Sequence, residues 1–263
     1  MGEIKTRSLY NGTVNVEFND GNHAYKVNGE RCKISVTSAT GMMDKPALKF
    51  WSVKMMKEYL INWIGDMGVP IFSIEELKSQ IEEGSKAHTK FKDKAADLGT
   101  QVHDWAEQYI LFELKINKEK PVIKKDFDER VKNGILAFLQ WVDEHKIKFI
   151  ASERLIYSKK YKYCGILDCK AKVDGKLTLV DFKTSNYMAI EYFAQVSAYA
   201  FADEEESGDE YDHCLILKFN KETGDFETKE RNRDEMIEDF KAFRGLLEVK
   251  KWSDKYAVPF VKK

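Results

Sequence analysis

The spacing of apolar and polar residues changes along the chain and divides it into predicted elements. Residues 13–37 predict short strands, with turn signals at Asp20-Gly21 and Asn28-Gly29. Apolar residues at helical spacing then predict helices over residues 46–64, 74–97, 100–114 and 126–146. Gly99 is expected to end the second of these helices.

From residue 151 the pattern has a period of two, which is typical of strands. It predicts three consecutive strands over residues 151–158, 164–173 and 176–184. The remaining predicted elements are a helix over 188–202, a strand over 213–219, its hairpin partner over 225–230 and a helix over 233–250. This order predicts an α/β fold in which helices flank a central mixed β-sheet.

The segment Gly165–Ser185, GILDCKAKVDGKLTLVDFKTS, carries the most informative charges. Asp174-Gly175 predicts a two-residue hairpin turn, and residues equally distant from such a turn pair across the strands. Asp168 is therefore expected opposite Asp181, with Cβ atoms about 4.5–5.5 Å apart. Two carboxylates this close repel each other unless a cation lies between them or one is protonated. Such oxygen ligands suit a hard divalent ion, Mg²⁺ or Mn²⁺.

Strand alternation places Lys183 on the same face as this acid pair. The other face of the hairpin is apolar, so the polar trio is expected to point away from the main packing. The residues of the apolar face are Leu167, Cys169, Ala171, Val173, Val180 and Phe182. An exposed hairpin with incidental charges is the alternative. We favour a functional site because Ile166, Leu177 and Leu179 share the trio's face, and a half-buried acid pair requires a reason.

Two helices and one strand offer further polar groups. His103 and Glu107 lie four residues apart on one helix, so they share a face, and a neutral imidazole can join carboxylates on a metal. Gln195 and Tyr199 have the same spacing on the helix that follows Asp181. Ordinary surface or packing roles are the alternatives for both pairs.

Glu153 lies on the strand before the hairpin. It opposes Asp168 if the chain turns at Lys160-Tyr161, although these residues are poor turn formers.

The charged residues are unevenly distributed along the chain. The chain has 263 residues, 43% of them hydrophobic, and a formal net charge of -1, which excludes a uniformly basic nucleic-acid binder. Residues 154–176 contain seven bases and two acids, and we expect phosphate contacts there. Residues 203–212 contain seven acids and no base, and we expect a solvated loop.

The cysteines Cys32, Cys164, Cys169 and Cys214 do not form a CxxC motif. Scattered cysteines predict buried thiols in a reducing, cytoplasmic compartment and argue against zinc or an iron–sulfur cluster. The N-terminal residues lack the apolar core of a signal peptide, and no apolar run approaches the roughly 20 residues that a membrane span needs.

Four short motifs together resemble a known family. GILD, DFK and QVSAY, preceded by GTQVH, match the G-x-x-D, D-x-K and Q-x-x-x-Y pattern with upstream histidine of RecB-like nucleases in the PD-(D/E)XK superfamily. The match covers about residues 99–200. The stretch HAYKVNGERCKISVTSATGMMDKPALKFW also resembles the entry region of phage-encoded and mitochondrial genome-maintenance exonucleases.

The resemblance implies a restriction-endonuclease-like core, which we place at residues 99–263 with a C-terminal hairpin and helix. Residues 1–98 form an N-terminal β/α elaboration that is large enough to roof the site. Because the sequence has no linker rich in Pro, Gly or Ser, we expect the two parts to form one compact unit.

The resemblance implies one or two Mg²⁺ or Mn²⁺ ions. Relatives with an iron–sulfur cluster need cysteines that flank the core, and because two of the cysteines here lie inside the core hairpin, we expect no cluster. The implied metal ligands are His103, Asp168, Asp181 and the backbone carbonyl of Phe182. Lys183 would orient the attacking water and stabilise charge on the phosphate. The implied supporting residues are Gln195 and Tyr199, with Glu107 and Glu153 as further candidates.

The function implied is a metal-dependent DNA exonuclease acting on single-stranded or frayed ends in a bacterial or phage-infected cytoplasm. Its partners would be DNA and proteins of recombination or replication. The alternatives are an endonuclease of the same superfamily, a non-catalytic nucleic-acid-binding protein that keeps the fold, and a metal-dependent enzyme on another phosphoester. Cleavage polarity and the choice between DNA and RNA stay open.

Overall fold

The computed structural model describes residues 3–66, 73–185 and 187–257. The chain forms two compact units. The first unit joins Met1–Met43 to Val102–Lys263, and the second, helical unit is Asp44–Gln101. These units do not coincide with a division at residue 98, because the N-terminal strands belong to the first unit. A roof over the site formed by residues 1–98 stays a prediction.

The first unit begins with a four-stranded sheet in which each strand pairs antiparallel with the next. Its strands are β1 (Ile4–Leu9), β2 (Val14–Asn19), β3 (Ala24–Val27) and β4 (Glu30–Cys32). Asn28 and Gly29 both have positive φ angles, as a tight hairpin turn requires, so the turn predicted there is present. A short helix, α1 (Val36–Thr40), follows and is capped by Ser35.

The helical unit contains α2 (Pro46–Asp66), α3 (Ile74–Ser85) and the first part of α4 (Ala87–Glu113). The prediction that Gly99 ends a helix is wrong, because α4 continues through this residue. Glycine inside a helix costs only about 1 kcal/mol relative to alanine, and Ala95, Ala96 and Leu98 just before Gly99 have good helix propensity. A helix of this length tolerates that cost.

The rest of the first unit is built around a five-stranded sheet with strand order β5-β6-β7-β8-β9. Its elements are α5 (Glu129–Glu144), β5 (Ile147–Ser158), β6 (Tyr163–Val173), β7 (Lys176–Lys183), α6 (Glu191–Ser207), β8 (His213–Phe219), β9 (Phe226–Asn232) and α7 (Arg233–Tyr256). Strands β7 and β8 pair in parallel, and the other neighbouring strands pair antiparallel. The expected α/β class, a mixed sheet flanked by helices, is confirmed.

Both faces of this sheet are buried. Leu179 and Ile216 pack with Val196 of α6 and Phe243 of α7 on one face. On the other face, the ring of Phe138 from α5 packs edge-on against Phe182 and Phe219. The expectation that the face of Asp181 points away from the main packing is therefore wrong. A crossover between parallel strands must lie over one face of the sheet, and here α6 covers the face that carries Asp181.

A network of charges, here called the anchor cluster, joins α6 to β5, β6 and β1. It comprises Arg7, Arg154, Lys170, Asp203, Glu206 and Asp209. Asp203 is fully buried and accepts hydrogen bonds from Arg154 Nε at 2.6 Å and Lys170 Nζ at 2.7 Å. Glu206 accepts from Arg154 at 2.8 Å and from Arg7 at 2.6 Å.

The anchor cluster corrects two expectations about charge. The expectation of a solvated loop is wrong for the first part of the acidic run, because Asp203 and Glu206 lie on α6 and pair with basic side chains. It holds for the last three acids, which follow α6 and are exposed: Asp209, Glu210 and Asp212. Arg154 and Lys170, expected at phosphate, instead pair with acids of the anchor cluster, and Lys170 is only 2% exposed. Two of the seven bases in residues 154–176 are therefore paired with carboxylates of the protein itself.

All four cysteines are free thiols, and Cys164, Cys169 and Cys214 are buried. In the described part of the chain, none of the helices has the length together with the apolar character that a bilayer crossing demands.

Candidate metal centre

The β6–β7 hairpin has the predicted turn and register. Asp174 and Gly175 adopt φ angles of 50° and 89°. Paired residues run from Val173↔Lys176 to Cys169↔Val180, so Asp168 and Asp181 stand one step beyond the last pair. There Asp168 Oδ2 accepts a hydrogen bond of 2.7 Å from the backbone N–H of Phe182. The Asp168 carboxylate is therefore fixed to the strand that carries Asp181.

The preceding hairpin brings Glu153 opposite Asp168, as expected for a turn centred on Lys160-Tyr161. The flanking pairs are Ser152↔Cys169 and Arg154↔Leu167. Glu153 has a φ of 45°, a left-handed conformation that costs a non-glycine residue about 1–2 kcal/mol. Neighbouring pairs hold this strained residue, and strain of this kind clusters at functional sites.

Helix α4 adds His103 to these carboxylates. Its Nδ1 atom lies 3.9 Å from Asp168 Oδ2, and its ring packs edge-on against Phe182 with centroids 5.9 Å apart. One donor atom from each of His103, Glu153 and Asp168 lies within 4.8 Å of the other two. The structure therefore brings together one nitrogen and two oxygen donors from a helix and two adjacent strands.

Asp181 has a different immediate partner. Its side chain is buried and forms an ion pair with Lys183 Nζ, which also lies 4.8 Å from the centre of the Tyr192 ring. Asp181 is not part of the three-donor group. The side chain of Phe182 is buried, and its backbone N–H is the group that contacts Asp168.

Gln195 and Tyr199 lie behind Asp181 on α6. Gln195 Nε2 is 3.5 Å from Asp181 Oδ1 and donates a hydrogen bond of 3.0 Å to the Tyr199 hydroxyl. A Cβ atom at Gly165 would come within 2.6 Å of the Tyr199 ring. The glycine of GILD therefore makes room for the tyrosine of QVSAY, which explains in physical terms why the two motifs occur together.

One residue of the site carried no signal in the sequence. Lys5 of β1 places its Nζ 3.4 Å from Glu153 Oε2 and 3.5 Å from Glu107 Oε1. It is separated from both partners by about a hundred residues or more, so only the tertiary structure reveals it. We call these groups together the site cluster: Lys5, His103, Glu107, Glu153, Asp168, Asp181 and Lys183.

Burial dominates the electrostatics of the site cluster. It raises the pKa of Asp168, of Asp181 and of Glu153, and for Glu153 the charge of Asp168 adds to the effect and the pKa reaches about 8. Burial and then the charge of Lys183 lower the pKa of His103 to about 4. At neutral pH the imidazole is therefore uncharged and can donate a lone pair.

The two lysines respond in the opposite sense. Burial alone would lower the pKa of Lys183, but the charges of Asp181 and Asp168 raise it. Likewise burial opposes the charge on Lys5, and Glu153 and Glu107 raise its pKa. Both lysines therefore stay protonated, and the carboxylates around them still favour an additional cation.

Comparison with known proteins gives weak similarities. No family model matches the chain, and no curated protein matches it. A solved structure titled "Crystal structure of SSO0001" has a TM-score of 0.32 and 14% identity, covering 83% of this chain and 98% of that one. An alkaline exonuclease (LHK-Exo) from Laribacter hongkongensis has a TM-score of 0.29 and 14% identity, covering 62% and 91%. Its complex with dAMP has a TM-score of 0.29 and 16% identity, covering 62% and 96%. These values establish neither a family nor an activity for this chain.

Proposed function

We propose that this chain is a divalent-metal-dependent DNA exonuclease that hydrolyses phosphodiester bonds at single-stranded or frayed ends. The observation that carries the proposal is the three-donor group of His103, Glu153 and Asp168 within 4.8 Å. Two carboxylates suit Mg²⁺ or Mn²⁺, and a neutral imidazole is a suitable third donor. The donor set therefore fits the proposed ion.

In this proposal His103, Glu153 and Asp168 hold the ion, and Asp181 and the carbonyl of Phe182 are further ligands. A bound ion of this type polarises a phosphate and lowers the pKa of water. The backbone N–H of Phe182 orients the Asp168 carboxylate, so little rearrangement is needed on binding.

Lys183 is the proposed catalytic lysine. Asp181 and the ring of Tyr192 hold its ammonium group beside the carboxylates. A fixed positive charge at this place stabilises the negative charge that develops on the phosphate oxygens during hydrolysis. Gln195 and Tyr199 act as positioning residues, because they reach the reaction through Asp181.

The preference for ends is supported by charge and by sequence. With a net charge of -1 the chain has little capacity for extended nonspecific binding to duplex DNA, since that binding grows with the number of phosphates neutralised. The sequence shows no helix-turn-helix or zinc-finger pattern that would read bases. An enzyme that recognises a free end needs neither property.

The proposal is tested with three labelled substrates: linear single-stranded DNA, linear duplex DNA and covalently closed single-stranded circles. Each is incubated with Mg²⁺, Mn²⁺ or EDTA, and Asp168→Asn protein purified in parallel detects contaminating nucleases. We expect degradation of linear DNA with either metal, intact circles, and no reaction in EDTA. Rapid cleavage of circles would establish an endonuclease instead. Tight DNA binding without cleavage under any condition would favour a non-catalytic binder.

A further inference from the structure

Lys5 occupies an unusual position for a lysine of an N-terminal strand. Its side chain is 30% exposed, and its Nζ contacts Glu153, one of the proposed metal ligands, and Glu107, which lies one helical turn after His103. The ammonium group therefore links the two carboxylates at the edge of the site, where a cation would otherwise be favoured.

The fold holds Lys5 in place through the residues that follow it on β1. Two residues further along, Arg7 donates to the backbone carbonyl of Leu155 at 2.6 Å and to Glu206 at 2.6 Å. Tyr10 donates to the carbonyl of Tyr157 at 2.8 Å. Leu9 packs with Leu155 and Tyr157 in one buried cluster. Strand β1 is thus fixed along β5, and Lys5 is directed at Glu153 by the same contacts.

The charges of the site cluster indicate how many ions it accepts. In a metal-bound site the carboxylates are ionised and a histidine ligand is uncharged. Four carboxylates (Glu107, Glu153, Asp168 and Asp181) then face two ammonium groups (Lys5 and Lys183). Two negative charges remain, which is the charge that one divalent ion neutralises. A second divalent ion would have to bind beside Lys5 against its repulsion.

We infer that the Lys5 ammonium takes the place of a second metal ion, so that the site binds a single divalent cation. This inference rests on the proposed function and deepens it. Lys5 supplies one fixed charge at Glu107 and Glu153 and keeps the Glu153 carboxylate in position. If Lys5 is replaced by an uncharged residue, Glu107 and Glu153 gain the capacity to hold another ion.

The test counts bound ions directly. Metal-free protein is titrated with Mn²⁺ in the absence of nucleic acid, and free Mn²⁺ is followed by electron paramagnetic resonance. We expect one ion per chain in the parent and in Lys5→Arg, two in Lys5→Met, and none in Asp168→Asn. Lys26→Met is the matched control, because Lys26 is exposed on β3 of the same sheet; it should bind one ion. The Hill slope of activity against Mn²⁺ should rise from one to two in Lys5→Met.

The outcomes separate this inference from the proposed function. Two ions in the parent, or one in Lys5→Met, would refute the role of Lys5 and leave the metal-dependent nuclease intact. No bound ion in the parent would refute both. Two ions in Lys5→Arg would show that the positive charge is not what excludes the second ion, and would also overturn the inference.

Discussion

The anchor cluster and the site cluster lie in the same unit and share strands β5 and β6, yet their charges are arranged differently. In the anchor cluster three carboxylates (Asp203, Glu206 and Asp209) meet three cations (Arg7, Arg154 and Lys170). In the site cluster four carboxylates meet two lysines and a neutral histidine. Equal numbers are typical of a structural network, and the excess of negative charge favours a bound cation.

Distances differ in the same direction for Glu153 and His103, whereas Asp168 accepts a bond of 2.7 Å from the N–H of Phe182 and Asp181 pairs directly with Lys183. The contacts named above for the anchor cluster are between 2.6 and 2.8 Å. In the site cluster, Lys5 lies 3.4 and 3.5 Å from its partners, and His103 lies 3.9 Å from Asp168. A buried carboxylate with short bonds to cations is satisfied by the protein itself. Glu153 is partly buried and has the longer contacts, so it keeps the capacity to bind a ligand.

The largest expected effect is on catalysis in the site cluster. Asp168→Asn replaces one of the two carboxylate donors by a neutral amide of nearly the same volume, so we expect cleavage to fall by about a thousandfold or more. Metal-free stability should not fall, because one buried negative charge is removed. Steady-state rates on linear DNA and urea unfolding in EDTA measure the two quantities. Asp143→Asn, at an exposed aspartate of α5, is the control, and full activity of Asp168→Asn would reject the metal assignment.

The anchor cluster should show the reverse pattern. Asp203→Ala leaves Arg154 and the buried Lys170 without their shared partner, so we expect a loss of about 3–5 kcal/mol in unfolding free energy. The folded fraction should retain most of its activity, because Asp203 is not among the proposed metal ligands. Urea unfolding and rates per folded molecule measure this. Asp209→Ala is the matched control: Asp209 also binds Lys170 but is half exposed, so its loss should cost about 1 kcal/mol or less. Equal losses for the two variants would contradict the distinction.

The sequence predicted the chemistry of local motifs better than the partners of distant charges. The turn at Asp174-Gly175 and the spacing of Asp168 and Asp181 follow from rules that act over a few residues, and the structure has the same register. The position of Glu153 opposite Asp168 was also predictable, because the centre of the preceding loop determines it.

Long-range pairing was not predictable in the same way. The acids of α6 and the bases of β5 and β6 form separate runs in the sequence, and only the crossover geometry brings Asp203 to Arg154. Lys5 meets Glu153 because a separate sheet packs along β5, which no periodicity reveals. The wrong prediction of a helix end at Gly99 has a local reason. Glycine ends a helix only where the backbone needs the left-handed region or where further stop signals follow.

Two lysines of the central sheet, the partly buried Lys183 and the buried Lys170, allow a comparison with smaller expected effects. Lys183→Ala should lower kcat by about a hundredfold, with a much smaller change in KM for DNA, because its charge acts on the transition state. Lys170→Ala should lower stability and leave kcat of the folded protein nearly unchanged. Initial rates over a range of DNA concentrations, corrected for the folded fraction, distinguish the two. A rise in KM with unchanged kcat in Lys183→Ala would make Lys183 an ordinary phosphate contact.

The smallest expected effect concerns the pH dependence of stability without metal. The folded state raises the pKa of Glu153 to about 8, whereas a glutamate in the unfolded chain has a pKa of about 4.3. The contribution of Glu153 to stability is therefore fully present below about pH 4.3 and is lost as the pH rises toward 8. His103 acts oppositely. Its folded pKa is lowered to about 4, so its contribution is present above the unfolded value of about 6.5 and is lost as the pH falls through that window.

The metal-free protein should therefore be less stable at pH 8 than between pH 5 and 6, and Mn²⁺ should restore stability most strongly at pH 8. Glu153→Gln should raise metal-free stability at pH 8 by about 1 kcal/mol and change it less at pH 5.

Asp181 is a poorer choice for this test because its carboxylate pairs with Lys183. Glu206→Gln is the matched variant in the anchor cluster, and it should lose stability at both pH values. Urea unfolding in EDTA at pH 5 and pH 8 gives the change in unfolding free energy for each of the two variants at each pH. A loss of stability in Glu153→Gln at pH 8 would show that Lys5 satisfies the Glu153 carboxylate as fully as the arginines satisfy Glu206, and the distinction between the clusters would fail there.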